Sequence, residues 1–279
     1  MSTTWHSDDD PRCEPPKGGG AWFRVIRRGL PLAVVVFGCL GLLLVVRLVE
    51  RPIFGLRRPI TPWITQFVCI SALALLGIRR STVGKPMSGH GAIVSNHVSW
   101  LDIFSLNAPQ RIYFVSKAEV AGWPGIGWLA RATGTVFINR DRSEARAQAK
   151  VFERRIAAGH RLLFFPEGTS TDGMRVLPFK PTLFQAFFGN GLEPGVRVQP
   201  VSLVYHAPEG EDPRFYGWWG DMEFGEHLLK VLAAKRQGRV EVIFHEAVDV
   251  AASGGRKALA SQCEQAVRRG VGAQRDPVT

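Results

Sequence analysis

Two apolar runs open the ordered part of the chain, and a body of alternating short patterns follows them. The first run, Leu30–Val46, is 17 residues broken only by Pro31, Gly38 and Gly41. As a helix it reaches about 26 Å, just short of a hydrocarbon core of about 30 Å. The second, Ile64–Ile78, is shorter and carries Thr65, Gln66 and Ser71. From Lys85 onward, "AIVS" (92–95), "RIYFVS" (111–116), "GTVFIN" (134–139), "RLLFFP" (161–166), "VRVQPVSLVY" (196–205) and "RVEVIFHEAV" (239–248) read as strands. "SWLDIFSL", "RSEARAQAKVFERRIAAG" and "EFGEHLLKVLAAKR" read as helices, the second closed by Gly159. Such alternation predicts an α/β fold, a mixed β-sheet flanked by helices, behind an N-terminal membrane-embedded two-helix segment.

Boundaries follow from composition. Residues 1–20, with three consecutive aspartates and "PPKGGG", are polar and expected to be disordered. Residues 21–84 form the membrane-associated helical hairpin, 85–250 the α/β domain, and 251–279 a C-terminal helix or tail. No internal repeat is visible.

Charge changes the picture. Lys+Arg 35 against Asp+Glu 24 gives +11, and the pI is near 10.1, which calls for an anionic partner. Arg24, Arg27 and Arg28 precede the first apolar run, Arg47, Arg51, Arg57 and Arg58 follow it, and Arg79 and Arg80 close the second. Charges that bracket greasy segments read as contacts to lipid headgroups, not as a nucleic-acid face. One spanning helix with one buried helix is an alternative. It puts one basic flank on the wrong side, whereas a hairpin in one leaflet keeps every cluster cytoplasmic. The location expected is therefore the inner, cytoplasmic membrane with the body facing the cytoplasm. "RLVERP" offers no signal-peptide cleavage site. Cys13, Cys39, Cys69 and Cys263 have no metal or disulfide spacing, which suits a reducing compartment.

Candidate chemistry lies at strand ends. "VSNHVSWLDIF" sets His97 five residues before Asp102, a spacing that cannot decide anything in a chain with seven histidines. But His97 follows directly on the strand "AIVS", and "FFPEGTS" runs off another strand. In open α/β sheets ligands bind beyond the carboxyl ends of strands. In "FPEGTS", Pro166 ends its strand, Gly168 permits a close backbone approach, and Glu167 offers a carboxylate. An ordinary strand-to-loop turn with a solvated Glu167 would look the same.

Taken together, Asn96-His97-x4-Asp102, Phe137-Ile138-Asn139-Arg140, Phe165-Pro166-Glu167-Gly168-Thr169 and Val198-Gln199-Pro200-Val201 occur in an order that resembles the lysolipid acyltransferase family. Its central member type is 1-acylglycerol-3-phosphate O-acyltransferase. The likeness covers about Lys85 to Tyr205 and implies a glycerolphosphate acyltransferase-like fold with a catalytic domain over 85–250. It also implies acyl transfer from a thioester of acyl carrier protein or coenzyme A to a lysolipid hydroxyl, with membrane lipids as partners and no nucleic acid. No cofactor or metal is implied. His97 would be the general base and Asp102 its orienting partner. Lys117 and the Gly168 amide would be oxyanion donors, with a solvated strand-end lysine as the alternative for Lys117. Arg140 would meet an acidic head group, and Glu167 and Thr169 would orient the acceptor. Where family members acting on 1-acylglycerol-3-phosphate commonly follow "FPEGT" with arginine, this chain has Ser170. That departure resembles the branch acylating lyso-ornithine lipid, with lysophosphatidate as the alternative acceptor. Trp218 and Trp219 are interfacial anchors or core packing. A membrane-binding protein without a working site is the rival reading. A metal hydrolase fails on ligand count near His97.

Overall fold

The computed structural model describes residues 4–10, 13–89, 91–138, 145–188 and 195–275. Two helices come first, α1 (Gly19–Phe54) and α2 (Thr61–Leu76). The body then runs β1 (Arg79–Val83), β2 (Gly91–Ser95), α3 (Asp102–Asn107), β3 (Tyr113–Lys117), α4 (Ile126–Thr133), β4 (Val136–Ile138), α5 (Ala145–Ala157) and β5 (Arg161–Phe164). It closes with β6 (Arg197–His206), α6 (Phe224–Ala233), β7 (Arg239–Phe244), β8 (Val248–Asp249) and α7 (Arg256–Arg275).

The strands form one sheet in the order β1-β7-β6-β2-β5-β3-β4, with β8 beside β6. β6, β2, β5, β3 and β4 are mutually parallel, while β7 runs antiparallel to β6 and carries β1 parallel to itself. The α/β class with a mixed, helix-flanked sheet is what the alternation predicted. β2 is buried at every position, which fits an interior parallel strand covered on both faces. Its side chains alternate between two cores. Ile93 faces the core built with α2, α3 and α6 through Leu73, Leu76, Leu106 and Val231. Ala92 and Val94 face the core built with α5 and α7 through Ile156, Leu259 and Val267.

The front of the chain departs from expectation in three respects. Residues 79–83, assigned from sequence to the membrane-associated stretch, are an edge strand of the sheet. Several basic residues expected at lipid headgroups make hydrogen bonds within the protein. Arg24 Nε donates to the Ala233 carbonyl at 2.6 Å, and Arg28 Nη1 donates to the Leu232 and Ala234 carbonyls at 2.8 and 2.6 Å. Those carbonyls end α6, where cations are favoured by the helix dipole. Arg47 pairs with buried Glu50 at 2.9 Å, and Arg58 Nη1 caps α4 through the Ala132 carbonyl at 2.8 Å. Residues 1–20, expected to be disordered, make defined contacts from Trp5 to Asp10 that are described below.

α1 is 36 residues long and apolar enough to cross a membrane, with only 11% of its most apolar window buried. α2 buries Cys69, Ala72, Leu73 and Leu76 against the body. Yet both ends of α1 touch the body, near α6 at its start and, through the link carrying Arg58, near α4 beyond its end. Exposed apolar side chains run along the pair, among them Phe23, Leu30, Val34, Phe37, Leu48, Trp63 and Phe67.

Candidate active site

The chain leaves β2 at Ser95 and is pinned at once by Asn96. Its side chain donates to the Leu203 carbonyl at 2.9 Å and accepts from the Leu203 amide at 2.8 Å, standing in for a rung of the β2–β6 ladder. Buried Val98, Trp100 and Leu101 then anchor the turn into the core, so the next polar residue, Asp102, begins α3 inside the protein.

Asp102 is fully buried and accepts four hydrogen bonds. His97 Nδ1 lies 2.7 Å from Oδ2, which also receives the Val98 and Ser99 amides at 2.7 and 3.1 Å. Tyr205 donates its hydroxyl to Oδ1 at 2.9 Å, with Ser105 Oγ 2.9 Å away behind it. Burial, and after it the Asp102 charge, push the Tyr205 phenol far above its ordinary range, so it stays a donor. With Oδ2 accepting two amides and Oδ1 a hydroxyl, Asp102 faces His97 as an acceptor, which places a proton on His97 Nδ1 and leaves Nε2 to take one. The imidazole stacks on Phe165 with ring centroids 4.0 Å apart and 11° between planes. Its side chain is 23% exposed. H-x4-D is therefore an oriented histidine–carboxylate pair in a rigid frame.

Glu167 differs from the acceptor-orienting group expected. It is buried, its Oε1 accepting the His97 amide and its Oε2 the Leu177 amide, both at 2.7 Å. Burial pushes its carboxyl up to about 8 against those two bonds. The backbone closes the same seam through Thr171 N to the His97 carbonyl at 3.0 Å. Gly173, at φ 75°, passes so near Val98 that a Cβ there would lie 2.6 Å from Val98 Cγ1. Glu167 thus positions the backbone under His97.

The other sequence candidates are split. Lys117 ends β3 on the same carboxyl edge as His97 and Phe165. The Gly168 amide is turned to the Phe165 carbonyl at 3.0 Å, which corrects its assignment as an oxyanion donor. Arg140 and Asn139 of the "FINR" block lie outside the described residues. Thr169 Oγ1 accepts the Trp5 amide at 3.2 Å, and Ser170 Oγ donates to the Trp218 carbonyl. Both hydroxyls thus tie down neighbouring chain. Trp219 is buried and donates from Nε1 to Asp10 at 2.9 Å and Ser7 at 3.1 Å, so it packs within the fold. The N-terminal segment is held on this face further by Gly220 N to the Trp5 carbonyl, by Arg214 to Asp9 and by Arg175 over the Trp5 ring.

Sequence reasoning missed Tyr205 and the N-terminal segment. Tyr205 looked like one more inward position of a strand, and only the pairing of β6 with β2 brings it to Asp102. Trp5 sat in a polar, proline-rich stretch where a lone aromatic was the available signal.

Among known proteins, residues 80–204 match the family described as Acyltransferase. A lyso-ornithine lipid O-acyltransferase of Rhodobacter capsulatus is 58% identical over 96% of this chain and 97% of its own. A lyso-ornithine lipid O-acyltransferase of Pseudomonas aeruginosa is 34% identical over 88% and 92%. A 1-acyl-sn-glycerol-3-phosphate acyltransferase of Neisseria gonorrhoeae is 33% identical over 71% and 76%. In fold, the chain resembles the 1-acyl-sn-glycerophosphate acyltransferase PlsC of Thermotoga maritima, with a TM-score of 0.65, 22% identity, and 91% and 96% of the two chains covered. With near-full-length relatives of this identity, and with an ordered His97–Asp102 pair inside the matched region, the chain belongs to the acyltransferase family.

Proposed function

We propose that this acyltransferase esterifies the free hydroxyl of a membrane lysolipid, with lyso-ornithine lipid as the preferred acceptor and an acyl thioester of acyl carrier protein or coenzyme A as donor. The observation that carries the chemistry is the Asp102–His97 pair, with Nε2 left as the proton acceptor. His97 takes the hydroxyl proton as the acceptor oxygen attacks the thioester carbonyl. The tetrahedral intermediate collapses with cleavage of the C–S bond, and the imidazolium returns its proton to the departing thiolate. Asp102 stabilises the imidazolium between those steps. Lys117 remains the oxyanion donor in this scheme.

The acceptor assignment draws on the similarity to the Rhodobacter capsulatus protein and on Ser170. With serine there, the guanidinium fork that would grip a phosphate monoester is missing, and the hydroxyl is spent on the Trp218 carbonyl. The decisive measurement is kcat/KM for lyso-ornithine lipid and lysophosphatidate on wild type and Ser170→Arg. Wild type should favour the first, and the variant should move the ratio toward the second. A strong wild-type preference for lysophosphatidate, unmoved by the substitution, overturns the acceptor reading.

The membrane arrangement proposed is a hairpin embedded in one leaflet of the cytoplasmic membrane, the body facing the cytoplasm. Anchoring of α1 to the body near both ends supports this over a perpendicular crossing. Resistance to carbonate and high-salt washing checks the insertion. Protease cleavage of residues 51–58 from the far face would contradict the single-leaflet arrangement.

A further inference from the structure

At the edge of the sheet opposite His97, where β3 and β5 begin, lies a cleft of about 440 Å³ lined by Arg57, Arg58, Arg111, Tyr113, His160 and Arg161. Running along β5 from Arg161 to Phe165 at about 3.3 Å per residue, it is about 13 Å from the catalytic edge. A fifth guanidinium stands behind the lining, with Arg155 stacked over the Tyr113 ring at 4.7 Å.

What holds these arginines is not negative charge. Arg58 donates to the Ala132 carbonyl at 2.8 Å, Arg161 Nε to the Gly89 carbonyl at 2.9 Å, and Arg111 lies 3.8 Å over the Trp63 ring. Arg155 donates to the Gly134 carbonyl, while its buried Nε has no hydrogen-bond partner. Among the described residues none of the five pairs with a carboxylate. The carboxylate near them, Glu50, is already taken by Arg47, by Thr61 Oγ1 at 2.7 Å and by the Ile60 and Thr61 amides. The strain shows in the titrating groups. Burial, then Arg155 and Arg58, depress His160 to about 3, and burial with Arg58 brings Arg155 down to about 10.

We infer that this cleft binds the phosphate group of an anionic membrane phospholipid, distinct from the acceptor at the catalytic edge. Guanidinium forks match phosphate oxygens, and carbonyls and rings have already oriented these ones. The source is lipid because the rim is greasy. Phe54, Ile60 and Trp63 are 45%, 51% and 58% exposed beside the opening. They continue the bare apolar flank of α1 and α2, along which acyl chains would lie. The site needs neither His97 nor the acceptor assignment, so it stands or falls separately from them.

The test uses the full chain in neutral detergent, titrated with short-chain phosphatidylglycerol, phosphatidylcholine or inorganic phosphate and read by tryptophan fluorescence. Phosphatidylglycerol should bind and phosphatidylcholine should not. Loss of one charge should weaken binding about fivefold in Arg57→Gln, whose exposed side chain leaves the fold undisturbed. Loss of two should weaken it about thirtyfold in R57Q/R161Q. Detergent-assayed acyl transfer should be unchanged in both, and displacement of lipid by excess inorganic phosphate would support phosphate recognition. Equal affinity of Arg57→Gln and wild type, or equal binding of phosphatidylcholine, overturns the site. Binding of inorganic phosphate without the lipid overturns the lipid source.

Discussion

The two ends of the parallel strands β2, β5 and β3 are built on opposite electrostatic plans. At the carboxyl edge, the buried polar groups of Asn96, Asp102, Glu167 and Tyr205 find partners within the chain. At the amino edge, five guanidiniums gather without a carboxylate among the described residues, and a buried nitrogen of Arg155 is left over. Satisfied networks fix geometry, which proton transfer needs. Uncompensated charge stores a cost that a ligand can relieve, which binding needs. Strand direction alone does not produce this contrast, since both edges belong to the same strands.

The comparison breaks hardest at His97. His97→Ala should lower kcat by about 10²- to 10⁴-fold, the span of a positioned base, while membrane binding and the amino-edge lipid site persist. Asp102→Asn should approach the same loss, because the amide no longer selects the productive tautomer. If His97→Ala keeps most of its turnover, the base is elsewhere.

Glu167 sharpens the contrast in stability. Glu167→Ala leaves the His97 and Leu177 amides unpaired, about 1–3 kcal/mol each, and thermal unfolding should register the sum. The pH dependence has a defined sign. The folded carboxyl is raised from 4.5 to about 8, so its contribution is complete below 4.5 and is lost as pH rises through about 8. Wild-type Tm should therefore decline across that window, and Glu167→Gln should flatten the decline. An identical slope in the variant would mean that Glu167 does not titrate there.

Tyr205→Phe should give the smallest effect. It removes one of four donors to Asp102, about 1–1.5 kcal/mol or about tenfold in kcat, with KM for the acceptor little changed. A larger shift in KM than in kcat would place Tyr205 at the acceptor rather than behind the base.

Local patterns determined much of this protein. Short β-rich apolar runs marked β2, β5 and β6, because parallel strands covered on both faces read as nearly continuous apolar stretches. His97 and Glu167 were legible as candidates because they lie just beyond strand ends, and Asp102 through its place in the H-x4-D block that carries the family resemblance. The role of Glu167 was not legible. A carboxylate at a strand end reads the same whether it faces a substrate or two backbone amides 2.7 Å away. Arg24 and Arg28 looked like headgroup contacts because sequence records the charge and not the helix end that receives it. Tyr205, the Trp5 segment and the arginine cleft became visible only in the tertiary structure. Each joins residues dozens to hundreds of positions apart, and which strands neighbour one another is settled by burying both faces of the whole sheet at once, not by any local pattern.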